Sequence, residues 1–87
     1  PLAYMRRTVT EDTELFGQTL RKDDMVALWY LSANRDESVF ADGERIIVDR
    51  HNARRHLSFG YGIHRCVGAR VAELQLVTLL EEMARLR

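Results

Sequence analysis

The chain has 87 residues, of which 46% are hydrophobic and 30% charged, and its formal net charge at pH 7 is zero. This composition is typical of a globular segment, but a chain of this length buries only roughly 60 to 65% of its unfolded surface, so we expect marginal stability alone. The single cysteine excludes an internal disulfide, and no apolar run approaches the roughly 18 residues that span a bilayer.

The first part of the chain predicts short β-strands joined by tight turns. Residues 6–10 are predicted to form a strand, and residues 14–20 a hairpin around Gly17. The continuous apolar run at 25–31 predicts a buried strand. The turn before that run contains Asp23 and Asp24 instead of a glycine, and aspartate is a competent turn residue.

The rest of the chain predicts a helix at each side of a long irregular segment. Residues 32–40 are predicted to form a short helix capped by Ser32 or Asn34, and residues 41–58, which show no sustained period, a meandering loop. From residue 67 to residue 87 the pattern becomes helical, with a favourable i,i+4 pair between Glu81 and Arg85. The apolar face of this helix carries Ala72, Leu76, Leu79, Leu80 and Met83.

Positive charge is concentrated in residues 50–72, which contain five arginines and no acidic residue. Residues 1–49 carry six basic and ten acidic side chains, and residues 73–87 carry two and three. The five arginines are Arg50, Arg54, Arg55, Arg65 and Arg70. A basic surface of this kind steers acidic partners, and a nucleic-acid patch or simply solvated arginines are the competing interpretations.

The lone cysteine lies in a glycine-rich loop, Phe59-Gly60-Tyr61-Gly62-Ile63-His64-Arg65-Cys66-Val67-Gly68, directly before the predicted long helix. Unpaired N–H groups and the positive end of the dipole at a helix start favour a thiolate. Glycines let the loop approach a flat cofactor, and Phe59 would limit water around the sulfur. His64 and Arg65 are the nearest cations for anionic cofactor groups, so the pattern is typical of a haem-iron thiolate site. For the cysteine taken alone, the competing interpretation is a small hydrophobic core residue.

This loop resembles the haem-binding signature of the cytochrome P450 superfamily at every position compared. The similarity continues through Ser32-Ala33-Asn34-Arg35-Asp36, Arg50 and His56-Leu57-Ser58. The resemblance implies an α+β fragment of a mainly α cytochrome P450 fold, with a small β-sheet, a meander, a cysteine-ligand loop and a following long helix. In this partial haem-binding domain, the β-rich part is residues 1–31, a short helix is 32–40 and the meander is 41–58. The cysteine-ligand loop is residues 59–68, and the long helix is 67–87. We expect truncation at both ends, because the chain opens without Met and closes inside a helical pattern that has no stop signal.

The resemblance also implies roles for individual residues around haem b. Cys66 would be the axial iron ligand and the only catalytic group in the chain, with Arg7 and His64 as partners of the propionates. The further cofactor contacts it implies are Phe59, Gly60, Gly62, Val67, Gly68 and Ala72. Leu2, Ala3 and Met5 would touch substrate by analogy, with ordinary packing as the alternative.

Two details concern the meander. The family pattern makes Arg50 the meander arginine, which braces an upstream helix. Ala41-Asp42-Gly43 and Ile46 depart from the residues common in relatives, so a looser meander is expected.

Three stretches most resemble the soluble bacterial alkane hydroxylases: residues 1–8, Leu28-Trp29-Tyr30 and residues 55–60. This finer resemblance implies that dioxygen is used to hydroxylate unactivated C–H bonds of small apolar substrates, alkanes or fatty acids, often at the terminal carbon. Electrons would come indirectly from NAD(P)H through a ferredoxin-type donor docked near Arg65 and Arg70. It also implies a bacterial cytoplasmic location, no nucleic-acid partner and no membrane span in this chain.

A non-enzymatic zinc-binding or nucleic-acid-binding module is the alternative function class. His51, His56, His64 and Cys66 are a possible zinc set, although only the last two are closely spaced. Gly60 and Gly62 lack the third glycine of a dinucleotide fingerprint. We also expect that the chain alone neither turns over nor holds haem tightly, because the other face of the cofactor would have no protein on it.

Overall fold

A two-stranded antiparallel ribbon holds the beginning of the chain in the computed structural model, which describes residues 2–87. Strand β1 (Tyr4–Thr8) pairs with β4 (Met25–Trp29), so that Tyr4 lies opposite Trp29 and Thr8 opposite Met25. The Tyr4 and Trp29 rings lie 4.7 Å apart and stabilise this register as a cross-strand aromatic pair. The strand predicted at 6–10 therefore lies two residues earlier. Pro1, the first residue of the predicted β-rich part, lies outside the described residues.

A small hairpin occupies the connection between these strands. It consists of β2 (Thr13–Leu15) and β3 (Gln18–Leu20), joined by Phe16 and Gly17. Both turn residues have positive φ, 51° and 76°, which is the requirement of a two-residue type I′ turn. The predicted hairpin around Gly17 is confirmed.

An aspartate makes the next turn, as the sequence predicts. Asp23 has a φ of 71°, and the Asp24 N–H donates to the Arg21 carbonyl at 3.0 Å. The Asp24 carboxylate also accepts a hydrogen bond from the Arg21 N–H at 2.8 Å. The Asp24 carboxylate thus closes the turn, and aspartate at Asp23 tolerates the left-handed backbone that the turn requires.

Helix α1 (Tyr30–Ala33) follows β4 without a connecting loop, and it corrects two predictions. The apolar run is not one buried strand, since it divides between β4 and α1 and leaves Met25 67% exposed. The predicted helix over 32–40 ends early, with Asn34 as its C-cap. Beyond it, the Asp36 carboxylate accepts hydrogen bonds from both the N–H and the hydroxyl of Ser38. Such side-chain bonds compete with helical backbone bonds and favour a turn.

The meander at 41–58 contains no strand and only one turn of 3₁₀ helix, Ala53–Arg55. The Arg50 guanidinium organises it by donating to three carbonyl oxygens, those of Ala41, Asp42 and Arg45. Gly43 lies so close to the Arg35 carbonyl that an added Cβ would overlap it. Three of the residues at which a looser meander is expected, Ala41, Asp42 and Gly43, are thus held by backbone contacts, whereas the Ile46 side chain is 96% exposed.

The chain ends in the long helix α2 (Ala69–Arg85), which begins two residues later than predicted, after Gly68. Arg85 pairs with Glu82 at 2.6 Å rather than with Glu81, because i,i+3 side chains are also neighbours on a helix. No helix within residues 2–87 is long and apolar enough to cross a membrane.

These elements do not close around a core. Among the described residues, Phe40 and Ala69 are the buried hydrophobic side chains, and the predicted apolar face of α2 is exposed. The accessible surface is 8079 Å², against about 5,300 Å² for a folded monomer of this mass. The radius of gyration is 16.9 Å, against about 12 Å for a compact domain of this length. The elements are therefore arranged around space that they do not fill themselves.

Candidate functional site

A cleft of about 850 Å³ lies between the start of the chain, the cysteine loop and the first turns of α2. Its apolar lining consists of Leu2, Met5, Phe59, Ala72 and Leu76. Its polar lining consists of Arg7, Tyr30, His56, Ser58, His64, Cys66 and Glu73, and Gly60 completes the wall. The start of the chain thus meets the cysteine loop and the helix that follows it around one mainly apolar space, which also contains a thiol and several polar groups.

The loop carrying the thiol is closed by backbone hydrogen bonds. The Cys66 N–H donates to the Phe59 carbonyl at 2.8 Å, and the Gly60 N–H donates to Leu57 at 2.9 Å. Gly60 is buried and has a φ of 72°. A Cβ atom added to it would lie in van der Waals contact with the Tyr30 hydroxyl oxygen, 3.5 Å away. A glycine here gives the loop its left-handed bend and leaves the wall of the cleft thin.

Cys66 lies three residues before the start of α2, whereas the sequence predicts a helix that begins directly after it. Its carbonyl accepts a hydrogen bond from the Ala69 N–H at 3.3 Å, which joins the loop to the helix start. A Cβ built on Gly68, the N-cap residue, would lie 3.8 Å from the Cys66 sulfur. The sulfur therefore remains next to the N-terminus of α2.

The predicted site residues divide into two groups. The cleft brings together Arg7, Phe59, Gly60, His64, Cys66 and Ala72. The other predicted cofactor contacts, Gly62, Val67 and Gly68, do not line the cleft. Of the predicted substrate contacts, Leu2 and Met5 line the cleft and Ala3 does not. The Val67 side chain is fully exposed, and Gly62, with a φ of 72°, contributes a turn of the loop.

The sequence interpretation overlooked Asn34 and His56 as parts of this region. The Asn34 carboxamide accepts from the Leu57 N–H at 2.7 Å and donates to the Ser58 hydroxyl at 3.1 Å. The His56 Nδ1 accepts from the Ser58 N–H at 3.2 Å, which assigns the ring proton of the neutral form to Nε2. The His56 and Phe59 rings lie 5.7 Å apart. Asn34 lies in the segment of residues 32–36 that resembles the family, but this resemblance does not show which residues its side chain binds.

The arginines of residues 50–72 are not equivalent. Arg50 is half-buried and bonded to the meander, whereas the other four are exposed. Arg70 lies 3.7 Å from the Glu73 carboxylate, a solvated i,i+3 pair. The exposed arginines of this segment are therefore Arg54, Arg55, Arg65 and Arg70, of which Arg70 is paired with Glu73.

The structure contradicts the zinc alternative. Within residues 2–87, no group of three His, Cys, Asp or Glu side chains is placed to hold a metal ion. The set of His51, His56, His64 and Cys66 therefore does not form a zinc site.

Comparison with known proteins decides the family. The family model for cytochrome P450 matches residues 1–85. The chain belongs to the cytochrome P450 family. It is 53% identical over 81 residues to linalool 8-monooxygenase from Pseudomonas putida, a match that covers 93% of this chain and 20% of that protein. It is 46% identical over 86 residues to the methyl-branched lipid omega-hydroxylase of Mycobacterium tuberculosis, covering 98% and 20%.

Solved cytochrome P450 structures have the same fold in this region. Cytochrome P450-153 from Novosphingobium aromaticivorans superposes with a TM-score of 0.98 at 67% identity, over 100% of this chain and 22% of that one. CYP153D17 from Sphingomonas sp. PAMC 26605 gives 0.96 at 70% identity, over 98% and 21%. The predicted fold class, an α+β fragment of a mainly α cytochrome P450 fold, is confirmed. This chain spans about a fifth of the length of the curated relatives it matches.

The family implies a haem-iron cofactor, and the cleft suits one. A haem is a flat apolar ring with two anionic propionates and an iron that accepts a soft sulfur ligand. The cleft offers an apolar lining, a thiol on its wall and the nitrogen-bearing side chains of Arg7 and His64. At Gly60 the wall lacks a side chain, so a planar group can approach the backbone there.

Proposed function

We propose that this chain provides the thiolate side of a haem monooxygenase site, with Cys66 as the iron ligand. The observation that carries the proposal is the single cleft on which the thiol, the apolar lining and two cationic side chains meet. Membership in the cytochrome P450 family supports it independently.

Each residue of the site has a task in this proposal. Cys66 binds the iron, and the Phe59 carbonyl fixes the Cys66 backbone. The Phe59 side chain lines the same cleft as the exposed Cys66 and would limit the access of water to a bound metal, which tunes the site through its local dielectric. Arg7 and His64 pair with the propionates. Among the remaining predicted contacts, Gly60 and Ala72 allow close approach from the cleft wall, while Gly62, Val67 and Gly68 shape the loop.

When bound, the haem supplies dioxygen activation, which an electron-rich thiolate ligand favours, and insertion of one oxygen atom into a C–H bond. The described residues hold and electronically tune the cofactor. The cleft contains a single carboxylate, that of Glu73, and its nearest charged partner is Arg70.

We further propose that the substrate is apolar, an alkane or a fatty acid, hydroxylated at an unactivated carbon and often at the terminal one. Leu2 and Met5 place apolar side chains on the cleft. One relative is named as a lipid omega-hydroxylase and another as a monooxygenase of linalool, which supports hydroxylation of apolar compounds.

The electron donor in this proposal is a ferredoxin-type protein, reduced in turn from NAD(P)H in the bacterial cytoplasm. The proposed docking site lies near Arg65 and Arg70, which are exposed on the segment that carries the sulfur, as are Arg54 and Arg55. Opposite charge increases the rate of encounter with an acidic partner, so rising ionic strength should slow reduction.

The ligand assignment is tested with the haem-loaded protein that contains this chain. The ferrous carbon-monoxide complex should show the red-shifted Soret band of a thiolate ligand, and Cys66→Ser should abolish that band. Thr78→Ser, an exposed change on α2, is the control and should retain it. A red-shifted band in Cys66→Ser would overturn the assignment.

A further inference from the structure

We propose that Asn34 is a positioning residue for the Cys66 thiolate, acting through the segment 56–59. This inference rests on the proposed function, since it concerns the geometry of the same site. Asn34 lies outside the cleft lining, at the end of α1.

The Asn34 side chain binds the backbone and side chain of two residues that come long after it in sequence. Its Oδ1 accepts from the Leu57 N–H at 2.7 Å, and its Nδ2 donates to the Ser58 Oγ at 3.1 Å. The side chain is half-buried, so both ends of the amide have exchanged water for protein partners. Removing such a side chain leaves the Leu57 N–H without its partner, which costs more than a solvated bond does.

From these two residues, short contacts lead to the cysteine. The Leu57 carbonyl accepts from the Gly60 N–H at 2.9 Å, and the Ser58 N–H donates to His56 at 3.2 Å. The His56 ring lies 5.7 Å from that of Phe59, whose carbonyl accepts from the Cys66 N–H at 2.8 Å. Every step is a hydrogen bond or a ring contact.

On its other side, Asn34 is fixed to the ribbon that carries Arg7. The Asn34 N–H donates to the Tyr30 carbonyl at 2.9 Å, and α1 follows β4 directly. Within the ribbon, Arg7 on β1 lies opposite Val26 on β4. Asn34 therefore sets the position of the sulfur relative to the proposed propionate partner, two groups on the same cleft that belong to different segments.

Asn52 offers a matched control. It is also half-buried, and its amide donates to the Val39 carbonyl at 2.6 Å, but no side-chain bond connects it with residues 56–59 in the described chain. Asn34→Leu removes two long-range side-chain hydrogen bonds and Asn52→Leu removes one, and each keeps the number of side-chain heavy atoms. Asn34→Asp keeps an acceptor oxygen for the Leu57 N–H and replaces the amide nitrogen with a second oxygen, to which the Ser58 hydroxyl can donate.

The experiment uses the haem-loaded protein that contains this chain. It measures the rate at which the red-shifted Soret band of the ferrous carbon-monoxide complex is lost under mild heating, together with the haem reduction potential and Tm. Asn34→Leu should accelerate the loss by at least about tenfold, the scale of an unsatisfied buried donor, and shift the potential. Asn34→Asp should restore most of the band lifetime, and Asn52→Leu should lower Tm with the lifetime changed by less than about twofold.

Equal band lifetimes and potentials in Asn34→Leu and Asn52→Leu would overturn the inference and leave the proposed function intact. If Asn34→Leu does not fold, Ser58→Ala, which removes only one of the two bonds, should show a smaller acceleration, and an unchanged lifetime there would also overturn it. Absence of the red-shifted band from the unsubstituted protein would instead overturn the proposed function itself.

Discussion

Replacing Arg50 with alanine removes the group that gives the meander its shape. The guanidinium donates to the carbonyl oxygens of Ala41, Asp42 at 2.7 Å and Arg45 at 3.0 Å. A hydrogen bond from a charged donor contributes about 1.5 to 3 kcal/mol. The three bonds share one donor group and water can reach the carbonyls, so the sum is an overestimate. We expect Arg50→Ala to lower the free energy of unfolding by about 2 to 4 kcal/mol.

Two further variants make this prediction specific. Arg50→Lys keeps the charge but loses the planar fork, so it should recover less than half of the loss. Arg45→Ala removes only an exposed pair, 3.8 Å from Asp42 with side chains 75% and 63% exposed. Its cost should stay below about 1 kcal/mol.

Urea unfolding of the haem-loaded protein, followed at the Soret band, measures these differences, and limited proteolysis shows whether cleavage moves into residues 41–50. An Arg50→Ala value within about 0.5 kcal/mol of Arg45→Ala would refute the reasoning, because the three carbonyl bonds would then contribute nothing beyond a surface charge. Wild-type stability in Arg50→Lys would refute the specific role of the fork.

Two other predictions follow from single contacts. Gly43→Ala should destabilise the protein by about 2 to 3 kcal/mol, because the new methyl group would overlap the Arg35 carbonyl. Gly17→Ala, at a φ of 76° with open space around it, should cost only about 1 kcal/mol of backbone strain. Equal losses of stability in thermal unfolding would contradict this difference. Hydrogen bonds from the Ser38 hydroxyl and, to a lesser degree, the Ser38 N–H hold the pKa of Asp36 in the folded chain below its ordinary value. The stabilisation from these bonds is therefore fully present above the pKa that Asp36 has in the unfolded chain. It is lost as the pH falls through the lowered pKa of the folded chain. Ser38→Ala should raise the Asp36 pKa in a carbon-detected NMR titration, and an unchanged midpoint would show that the hydroxyl has no such effect.

The sequence alone predicts those features that depend on neighbouring residues. Gly17 and Asp23 mark their turns because left-handed backbone is restricted to few residue types. The long helix is predicted from its period, and its start is misplaced by two residues because Gly68 can continue or cap a helix. The loop around Cys66 is predicted as a cofactor site because its glycines, aromatic residue and cations are all within ten positions.

Long-range partners are decided only by the tertiary structure. The sequence shows that Asn34 and Arg50 are polar, but not that one binds residues 57 and 58 and the other three carbonyls of the meander. An amide or a guanidinium has many possible acceptors, and chain folding selects among them. For the same reason the convergence of Arg7 and Cys66 on one cleft follows from strand pairing and loop closure. Neighbouring residues thus fix which chemistry is available locally, and the tertiary structure decides which distant groups line the same cleft.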